Sequence, residues 1–382
     1  MGTVHPDKCE VMKMKIYRYW VLALSCWLLA ACSSSDGTAG GGPQNTMLSI
    51  YVYSPEHPMV IRGTEGNVNP LTGESAVNKL QIWVFESGTG NANAVGYLET
   101  TETSSLNTTV SGVSYQIPVS DEFAQHKPAV DVIVLANVAS DNSGCSFSRS
   151  STREELLNAK MGEGYFGLST LTTSVPASGL PMSGMLKNQT VTGEAPVLRI
   201  GTVSQMATVS LVRVVSKLRF AFANTDGANT MSIQRITLAD NTIPKEEYLL
   251  SQGRMSSEYN TETAEMLPTP VTAVQTVADP TVYLYINQES QVYENLINNA
   301  ELTKVGPFYL RESDKRLEGK IYYKIGDDAK EADFQMSAAG DFLRNHTWIV
   351  YAYHVGGGFL QLNTLYVKDW NNLAKEHAVY NW

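Results

Sequence analysis

The residues of this 382-residue chain that could perform catalysis are scattered and form no known catalytic constellation. No two of its six histidines share metal-ligand spacing, and none lies in an H-E-x-x-H arrangement. Ser183, in the stretch GLPMSGM, lacks the spacing of a nucleophile elbow because Pro181 and Met182 stand before it. We therefore predict that the protein is not an enzyme and that it holds no metal and no cofactor.

Three acidic pairs and one glycine triplet also favour structural roles. The pairs lie in polar stretches and are interpreted as solvated surface: Glu154–Glu155, Glu246–Glu247 and Asp327–Asp328. The triplet at 356–358 is not followed by Lys-Ser/Thr and a helix, so we predict a glycine hairpin and no phosphate loop. His346 and His354 flank a neighbouring strand pattern and are interpreted as packed or surface side chains.

Covalent processing is the chemistry that the N-terminal residues indicate. Residues 1–31 are predicted to be a secretory signal, in which a positive segment precedes an apolar run over 19–31. That run is shorter than the roughly 20 residues of a membrane-spanning helix. The stretch Leu29-Ala30-Ala31-Cys32 resembles a lipobox, which predicts lipidation of the Cys32 thiol with palmitate and an outer-membrane lipoprotein precursor. The alternative is an ordinary signal peptide with a chance cysteine.

Two neighbouring stretches belong to the same N-terminal arrangement. Residues 1–11 contain Asp7 and Glu10 and are unlike a signal, so a translation start at Met12 or Met14 is an alternative. Residues 32–46 are predicted to be a lipidated flexible tether, because they are polar and rich in Ser and Gly.

The amino-acid composition is typical of an extracellular β-rich protein and argues against nucleic acid as a partner. Charged residues make up 17% of the chain, a value typical of extracellular β-rich proteins when Ser, Thr, Asn and Gly are abundant. The formal net charge of −10, without a Lys/Arg cluster, excludes nucleic acid as a partner because a phosphate backbone needs a basic surface. Beyond the first 32 residues the chain has one cysteine, Cys145, so its folded body has no internal disulfide.

The elements that follow the tether are almost all strands. Alternating apolar residues predict a first strand at 48–53, after which Arg62 and Gly63 stand in a loop. Further strands are predicted at 79–85, 130–138, 231–238, 281–287, 320–325, 347–355 and 359–368. One short helix is predicted near 152–161, with a capping box at Ser151 to Glu154 and an end at Gly162.

The run 206–223 is several times longer than an ordinary strand, so it must bend, break or cross between domains. We take it as a domain junction. The fold class is therefore all-β, with two β-sandwich domains of transthyretin-like or Greek-key type in tandem and few short helices. The predicted domains are residues 47–205, which include the first strand, and residues 206–382.

The order of these motifs resembles the FimA-type fimbrillins, the type V pilus subunits of Bacteroidota. The motifs, in chain order, are the lipobox, the tether, the first strand, a loop arginine, NKLQIWVFES, VDVIVLANVAS, GLPMSGM, VSLVRVVSKLRF and the ending LRNHTWIVYAYHV…LYVKDW. The resemblance covers most of residues 29–370.

The resemblance implies a fimbrial subunit that serves adhesion and matures by proteolysis. An arginine-specific protease would cut after Arg62, the strand 48–53 would leave with its lipid, and the groove would accept a strand from another subunit. Other copies of the chain and related pilus subunits are thus the implied partners, and the mature protein would lie in the cell-surface fimbrium. The donor strand is expected within residues 360–382, with these candidates: Leu360, Leu362, Tyr366, Val379, Tyr380 and Trp382.

Several alternatives remain beside this interpretation. Arg62 could be an ordinary loop residue, and residues 359–382 could simply complete the C-terminal sandwich. The loop arginine and the tail together favour a stalk subunit, and a tip or an anchor subunit is the alternative rank. Exposed aromatic side chains could instead make the protein a surface lipoprotein that binds glycans.

Overall fold

The computed structural model describes a β-rich chain from Thr46 onward. The described residues are 46–54, 73–107, 112–169, 171–202, 205–267, 269–273, 302–336, 342–357, 359–367 and 377–381. Beyond Leu362 only the backbone is described. The chain divides into two compact units, Met1–Gln44 and Asn45–Trp382, and every described residue belongs to the second. The predicted strand at 281–287 lies outside the described residues.

Strands make up nearly all of the regular structure, which confirms the predicted fold class. In chain order they are β1 Thr46–Tyr53, β2 Leu80–Glu86, β3 Gly96–Thr100, β4 Val113–Val119, β5 Val130–Ala136, β6 Lys160–Met161, β7 Met182–Gln189, β8 Val191–Glu194, β9 Val197–Ile200, β10 Thr208–Ser210, β11 Val212–Arg213, β12 Val215–Asn224, β13 Met231–Leu238, β14 Glu247–Tyr248, β15 Ala264–Glu265, β16 Val271–Thr272, β17 Thr303–Arg311, β18 Glu318–Ile325, β19 Asp328–Gln335, β20 Thr347–His354, β21 Gln361–Val367 and β22 His377–Asn381. The described helices are α1 Asp121–His126 and α2 Arg153–Asn158.

The first sandwich packs two five-stranded sheets around one apolar core. One sheet has the order β10-β1-β9-β8, with β4 on the other edge of β1, and the second has the order β11-β7-β5-β2-β3. Its core combines Leu48, Ile50 and Val52 of β1 with residues such as Ile82 and Val132 of the facing sheet. The alternation of buried and less buried residues along β1 and β4 is what a sheet with one core-facing side requires.

The second sandwich has the same two-layer construction. Its sheets have the orders β17-β12-β20-β21-β22 and β15-β13-β18-β19, with β16 also paired to β13. Phe220, Phe308, Phe334 and Trp348 are among the large side chains of its core. β20 and β21 form an antiparallel hairpin over the loop that contains Gly356 and Gly357, as the sequence predicts.

The chain crosses between the sandwiches later than the sequence predicts. β10 pairs with β1 and β11 pairs with β7, so residues 208–213 belong to the first sandwich, whereas the predicted boundary assigns them to the second. β12 then starts the second sandwich. The run 206–223 breaks into three strands, and each of them belongs to a different sheet.

The two sandwiches share a buried boundary. Trp83 and Ile133, on the side of the β2–β5 sheet that faces away from the first core, lie in one cluster with Leu249 and Tyr309. The short pair β6–β14 adds main-chain hydrogen bonds between segments of the two halves. The described part of the chain from Thr46 onward is therefore packed as one body around three apolar clusters.

Two local predictions need correction. The capping box of α2 is formed by Thr152 and Glu155, one residue later than predicted, and the helix is capped at its end by Ala159 well before Gly162. Glu247 is buried, although its acidic pair was expected on the surface, because the Arg344 guanidinium lies 2.8 Å from its carboxylate. Neither described helix is long or apolar enough to cross a membrane.

Candidate functional site

The candidate site is the position that β1 occupies in the first sandwich, which we call the β1 slot. Leu48, Ile50 and Val52 are wholly buried there, and the flanking Thr46 and Ser54 are buried as well. Alternate residues of a strand point to the same face, so one side of β1 lies entirely in the core. Branched aliphatic side chains at three alternate positions explain why this stretch forms a strand and why one of its faces points inward.

β1 is a central strand, with partners on both edges. It pairs antiparallel with β4 along Thr46–Val52 and parallel with β9 and β10 on its other edge. Leu48 lies opposite Ile117 and Leu198, and Val52 lies opposite Val113 and Val209. Without β1, the described strands on both sides would lose main-chain hydrogen bonds, and the core would open.

Polar side chains at one face and one end of β1 complete its binding. The Ser49 hydroxyl and the Gln116 side chain exchange hydrogen bonds at 2.9 and 3.1 Å. Thr46 donates to the carboxylate of Asp121, the first residue of α1, at 3.2 Å. At the other end Gly112 has a positive φ, and a Cβ there would lie 3.0 Å from the Val52 carbonyl oxygen. These contacts define the register of β1 in the slot.

Two buried hydroxyls of the slot have no hydrogen-bond partner among the described residues. They are Ser54 Oγ, just beyond β1, and Tyr115 OH, whose residue pairs with Ile50. Burial raises the pKa of Tyr115, so its hydroxyl stays neutral. Buried polar groups are normally paired, and each unpaired one reduces the stability of the state that contains it. With β1 in the slot, the apolar side chains are packed, but these two buried hydroxyls lack a hydrogen bond.

The described residues resume at residue 73, next to a buried ionic cluster. Glu74 is fully buried, and its carboxylate lies 2.9 Å from Lys217 Nζ and accepts a 2.6 Å hydrogen bond from Tyr309 OH. Burial alone would raise the pKa of Glu74, but the charges of Lys217 and Arg213 outweigh it and lower that pKa. Glu74 thus attaches the segment before β2 to β12 and β17 of the second sandwich.

The predicted processing residues lie outside the described residues. Cys32, Arg62 and Gly63 are in this group, and so is Trp382 of the predicted donor region.

The other donor candidates lie in or next to the last two strands of the second sandwich, β21 and β22. Leu360 and Leu362 are 9% and 8% exposed and belong to the core of the second sandwich. Tyr366 lies in β21 opposite Trp348, and Val379 and Tyr380 lie in β22. Among the described strands β22 pairs only with β21, so it forms an edge of its sheet. β22 is thus the part of the predicted donor region that has one described strand neighbour, whereas β21 has two.

The residues considered for catalysis have structural roles in the described part of the chain. Ser183 lies in β7 and donates to the Leu249 carbonyl at 2.6 Å. His354 is buried beside Asn224, and burial lowers its pKa, so it stays neutral. No group of three or more His, Cys, Asp or Glu side chains within the described ranges could hold a metal ion.

Sequence reasoning missed the neighbours that form the slot. No strand is predicted at Val113–Val119, although Val113, Tyr115, Ile117 and Val119 alternate with polar residues or proline and carry the strand signal. The parallel pairing of β9 and β10 with β1 has no comparable signal, because it joins segments about 150 residues apart in the chain.

Comparison with solved structures finds several similar chains at low identity. A fimbrial assembly protein from Parabacteroides distasonis is 13% identical with a TM-score of 0.46, covering 88% of this chain and 100% of its own. The tip fimbrial protein Mfa3 from Porphyromonas gingivalis, with a C-terminal truncation, is 15% identical with a TM-score of 0.43, covering 88% and 100%. A putative cell adhesion protein from Bacteroides eggerthii is 13% identical with a TM-score of 0.44, covering 91% and 98%. No curated protein matches this chain.

One family model also matches this chain. The family model described as major fimbrial subunit protein (FimA) matches residues 58–235. The matched stretch begins just after β1, contains Arg62, and ends in β13 of the second sandwich. It confirms the resemblance to FimA-type fimbrillins and identifies residues 58–235 of this chain as a region of the major fimbrial subunit protein (FimA) family.

Proposed function

We propose that the protein is a stalk subunit of a cell-surface fimbria that polymerises by donor-strand exchange. It is exported as a lipoprotein through Cys32 and cleaved after Arg62, and β1 then leaves with its lipid. A strand from another subunit takes its place, and the tail of this chain enters a further subunit. The family match over residues 58–235 supports the fimbrial role and a location at the cell surface.

The position of β1 is the observation that carries this proposal. β1 is the one strand of the first sandwich that comes before the Arg62 loop, and it is central in its sheet. A cut in that loop would separate a core strand from the chain without breaking any other described element. Strand addition would then restore hydrogen bonds on two edges together with a buried apolar face.

The unpartnered hydroxyls favour release of β1 over its permanent retention. Ser54 Oγ and Tyr115 OH reduce the stability of the form that contains β1. A strand that offers either group a partner would bind more favourably. β1 then serves as a placeholder, which protects the slot from aggregation until assembly.

The donor part of the proposal is confined to the chain after β21. Leu360 and Leu362 would expose the core of the second sandwich if they left it. β22 has no second described neighbour and can detach with less loss. Of the six donor candidates, we therefore keep Val379, Tyr380 and Trp382.

Replacement of Arg62 tests the proposal. The Arg62→Ala chain should remain a folded, lipid-bearing precursor and form no polymer, whereas the wild-type chain should begin at Gly63 after processing. Amino-terminal sequencing, labelling of Cys32 with palmitate and electrophoresis of unboiled surface extracts measure the three properties.

Arg149→Ala is the control, because Arg149 is an exposed arginine in a turn. This variant should be processed and assembled like the wild-type chain. Undiminished polymer ladders from the Arg62→Ala variant would refute the placeholder role of β1.

A further inference from the structure

A cavity of about 400 Å³ lies where the loop after β14 meets the first sandwich. Its walls come from α2, from the turn between β2 and β3, from β7 and from that loop. We propose that this cavity binds a sugar that carries a single anionic group, a carboxylate or a sulfate ester. No described residue of β1, β21 or β22 lines the cavity, so the inference goes beyond the proposed assembly and does not depend on it.

The wall of the cavity is mainly positive, although the chain as a whole has a formal net charge of −10. Three of the side chains that line it are cations, Arg153, Lys187 and Arg254, and one is an anion, Glu154. A concave surface lined mostly by one sign of charge concentrates ions of the opposite sign. The cavity therefore attracts an anion that the chain as a whole repels.

The pairing of these cations decides how much negative charge the ligand carries. Arg153 is already compensated, because its guanidinium lies 2.6 Å from the buried Asp131 carboxylate. No carboxylate of the described ranges forms an ion pair with Lys187 or Arg254, whose hydrogen bonds go to neutral oxygens. With Glu154 opposing them, one positive charge of the wall is left over. A ligand with one negative charge neutralises it.

The two uncompensated cations are held in place before any ligand arrives. Arg254 donates to Asn158 Oδ1 at 2.9 Å, and its guanidinium carbon lies 4.0 Å from the centre of the Tyr248 ring. Lys187 Nζ donates to the Gln252 side chain at 2.5 Å. Groups that are already ordered lose little conformational freedom on binding, so more of the interaction energy appears as affinity.

Both cations keep hydrogen-bond donors for a ligand. An ammonium group has three N–H bonds, and Lys187 uses one of them in a described hydrogen bond. A guanidinium has five, and the described acceptors of Arg254 account for four at most. Hydrogen bonds from such groups to the oxygens of a carboxylate or a sulfate are stronger than those between neutral partners. The free donors therefore suit the anionic group of the ligand.

The rest of the lining suits hydroxyl groups, which is why we assign a sugar. The side-chain amides of Asn158 and Gln252 can donate and accept, and the Glu154 carboxylate accepts. Inorganic sulfate offers no hydroxyl to these acceptors, and Glu154 repels its second charge. A sugar ring brings hydroxyls beside its anionic group, and Leu157 provides an apolar contact for its C–H groups. The cavity volume lies within the range of roughly 300–1,000 Å³ that ligand pockets have.

Binding of four small probes to the intact chain, followed by ligand-observed NMR titration, tests the proposal. Methyl β-D-glucuronide carries a carboxylate, glucose-6-sulfate carries a sulfate ester, methyl β-D-glucoside is neutral, and sodium sulfate supplies an anion without a ring. We expect at least one anionic sugar to bind at least about tenfold more tightly than the glucoside and the sulfate ion. The preference should shrink between about 50 mM and 500 mM NaCl, because salt screens the attraction. Equal affinities for all three sugars, or a sulfate ion that binds as tightly as both anionic sugars, would overturn the proposal.

Substitutions at the cavity locate the binding. Lys187→Gln should weaken the anionic sugar at least about fivefold, because it removes one of the two uncompensated charges. Lys324→Gln is the matched control at an exposed lysine of β18, and it should leave the affinity unchanged. Lys187 is exposed, so both variants should keep the wild-type melting temperature.

Gly90 provides a second, independent variant. A Cβ at this position meets no atom within 4 Å, so a side chain can be added there without disturbing the fold. Gly90→Glu should weaken the anionic sugar by placing another carboxylate at the cavity, whereas Gly90→Gln, which has the same size and no charge, should weaken it much less. Undiminished binding in both Lys187→Gln and Gly90→Glu would show that the sugar binds elsewhere and would contradict the proposal.

Discussion

At the scale of single residues, a buried ion pair holds the segment before β2 against the second sandwich. Glu74 and Lys217 are almost entirely inaccessible and lie 2.9 Å apart, with Tyr309 as a third partner. Removing one member of a buried pair leaves the other charge without compensation, which costs more than the pair itself contributes. The pair lies just beyond the Arg62 loop, so it holds the segment before β2 whatever happens to β1.

Glu74→Gln should lower the free energy of unfolding at pH 7 by about 3–5 kcal/mol, measured by urea denaturation. The pKa of Glu74 is lowered in the folded state, so its ionised form contributes stability above pH 4.5, and that contribution is lost as the pH falls through the lowered pKa. The difference between variant and wild type should accordingly shrink below pH 4.5.

Glu99→Gln is the matched control for this experiment. Glu99 pairs with Lys79 at 2.7 Å, but both side chains are more than a third exposed. The control should change the free energy of unfolding by less than about 1 kcal/mol. Equal effects of the two substitutions would contradict the role assigned to Glu74.

At the scale of elements, the two strands that the proposed assembly uses differ in their pairing. β1 has partners on both edges and three wholly buried side chains, whereas β22 has β21 as its described partner. A strand that is central in its sheet leaves only when the chain is cut and a replacement is present. An edge strand has hydrogen-bond partners on one side only, which is the reason for proposing β22 as the donor.

Deletion of residues 371–382 should leave a folded protein that is cleaved at Arg62 and stays monomeric. The core of the second sandwich keeps Leu360 and Leu362 in this variant, so the melting temperature should fall by only a few degrees. Calorimetry and size-exclusion chromatography of the processed protein provide the measurement.

Deletion of residues 361–382 is the companion variant, because it removes Leu362 and the partner of β20 as well. That protein should unfold or aggregate. If the shorter deletion still polymerises like the wild-type chain, the donor role of the tail is wrong.

At the scale of the whole molecule, the boundary between the sandwiches depends on a second ionic cluster. Arg344 lies 2.8 Å from Glu247 and 2.5 Å from Glu312, and it also donates to the carbonyls of Tyr248 and Leu249. Glu247 precedes the apolar boundary residues Leu249 and Leu250, and β14 pairs with β6. One guanidinium thus organises the segment by which the second half of the chain contacts the first.

Arg344→Gln should destabilise the protein by about 3–5 kcal/mol at pH 7, because two carboxylates stay buried without their cation. Burial already raises the pKa of Glu247, with the charge of Arg344 opposing it, and loss of that cation raises the pKa further. A folded-state pKa above the unfolded one gives stability that is lost as the pH rises. The variant should therefore be closer to the wild type at pH 5 than at pH 8 in urea denaturation.

Arg235→Gln is the control, since Arg235 is exposed and stacks on the Tyr322 ring. It should change the free energy of unfolding little and equally at both pH values. A pH-independent loss in the Arg344→Gln variant would contradict the proposed origin of its effect.

The class of fold and the positions of several long strands could be predicted from the amino-acid sequence. Strands such as β1, β5, β13 and β20 have apolar patterns whose period follows from strand geometry alone, so they can be recognised without knowledge of their partners. The order of the motifs was enough to predict the fimbrillin family, which the match over residues 58–235 confirms. Covalent processing at Cys32 and Arg62 stays a prediction from the sequence.

Tertiary structure alone decided which segments lie beside one another. That β1 is central, that β10 and β11 belong to the first sandwich, and that Leu362 lies in the second core all depend on pairings between distant segments. Pairing is decided by which sheet buries more apolar surface and satisfies more hydrogen bonds, and this is a property of the whole assembly of strands. Glu247 illustrates the same limit, because its local sequence is polar and only the approach of Arg344 makes its burial tolerable.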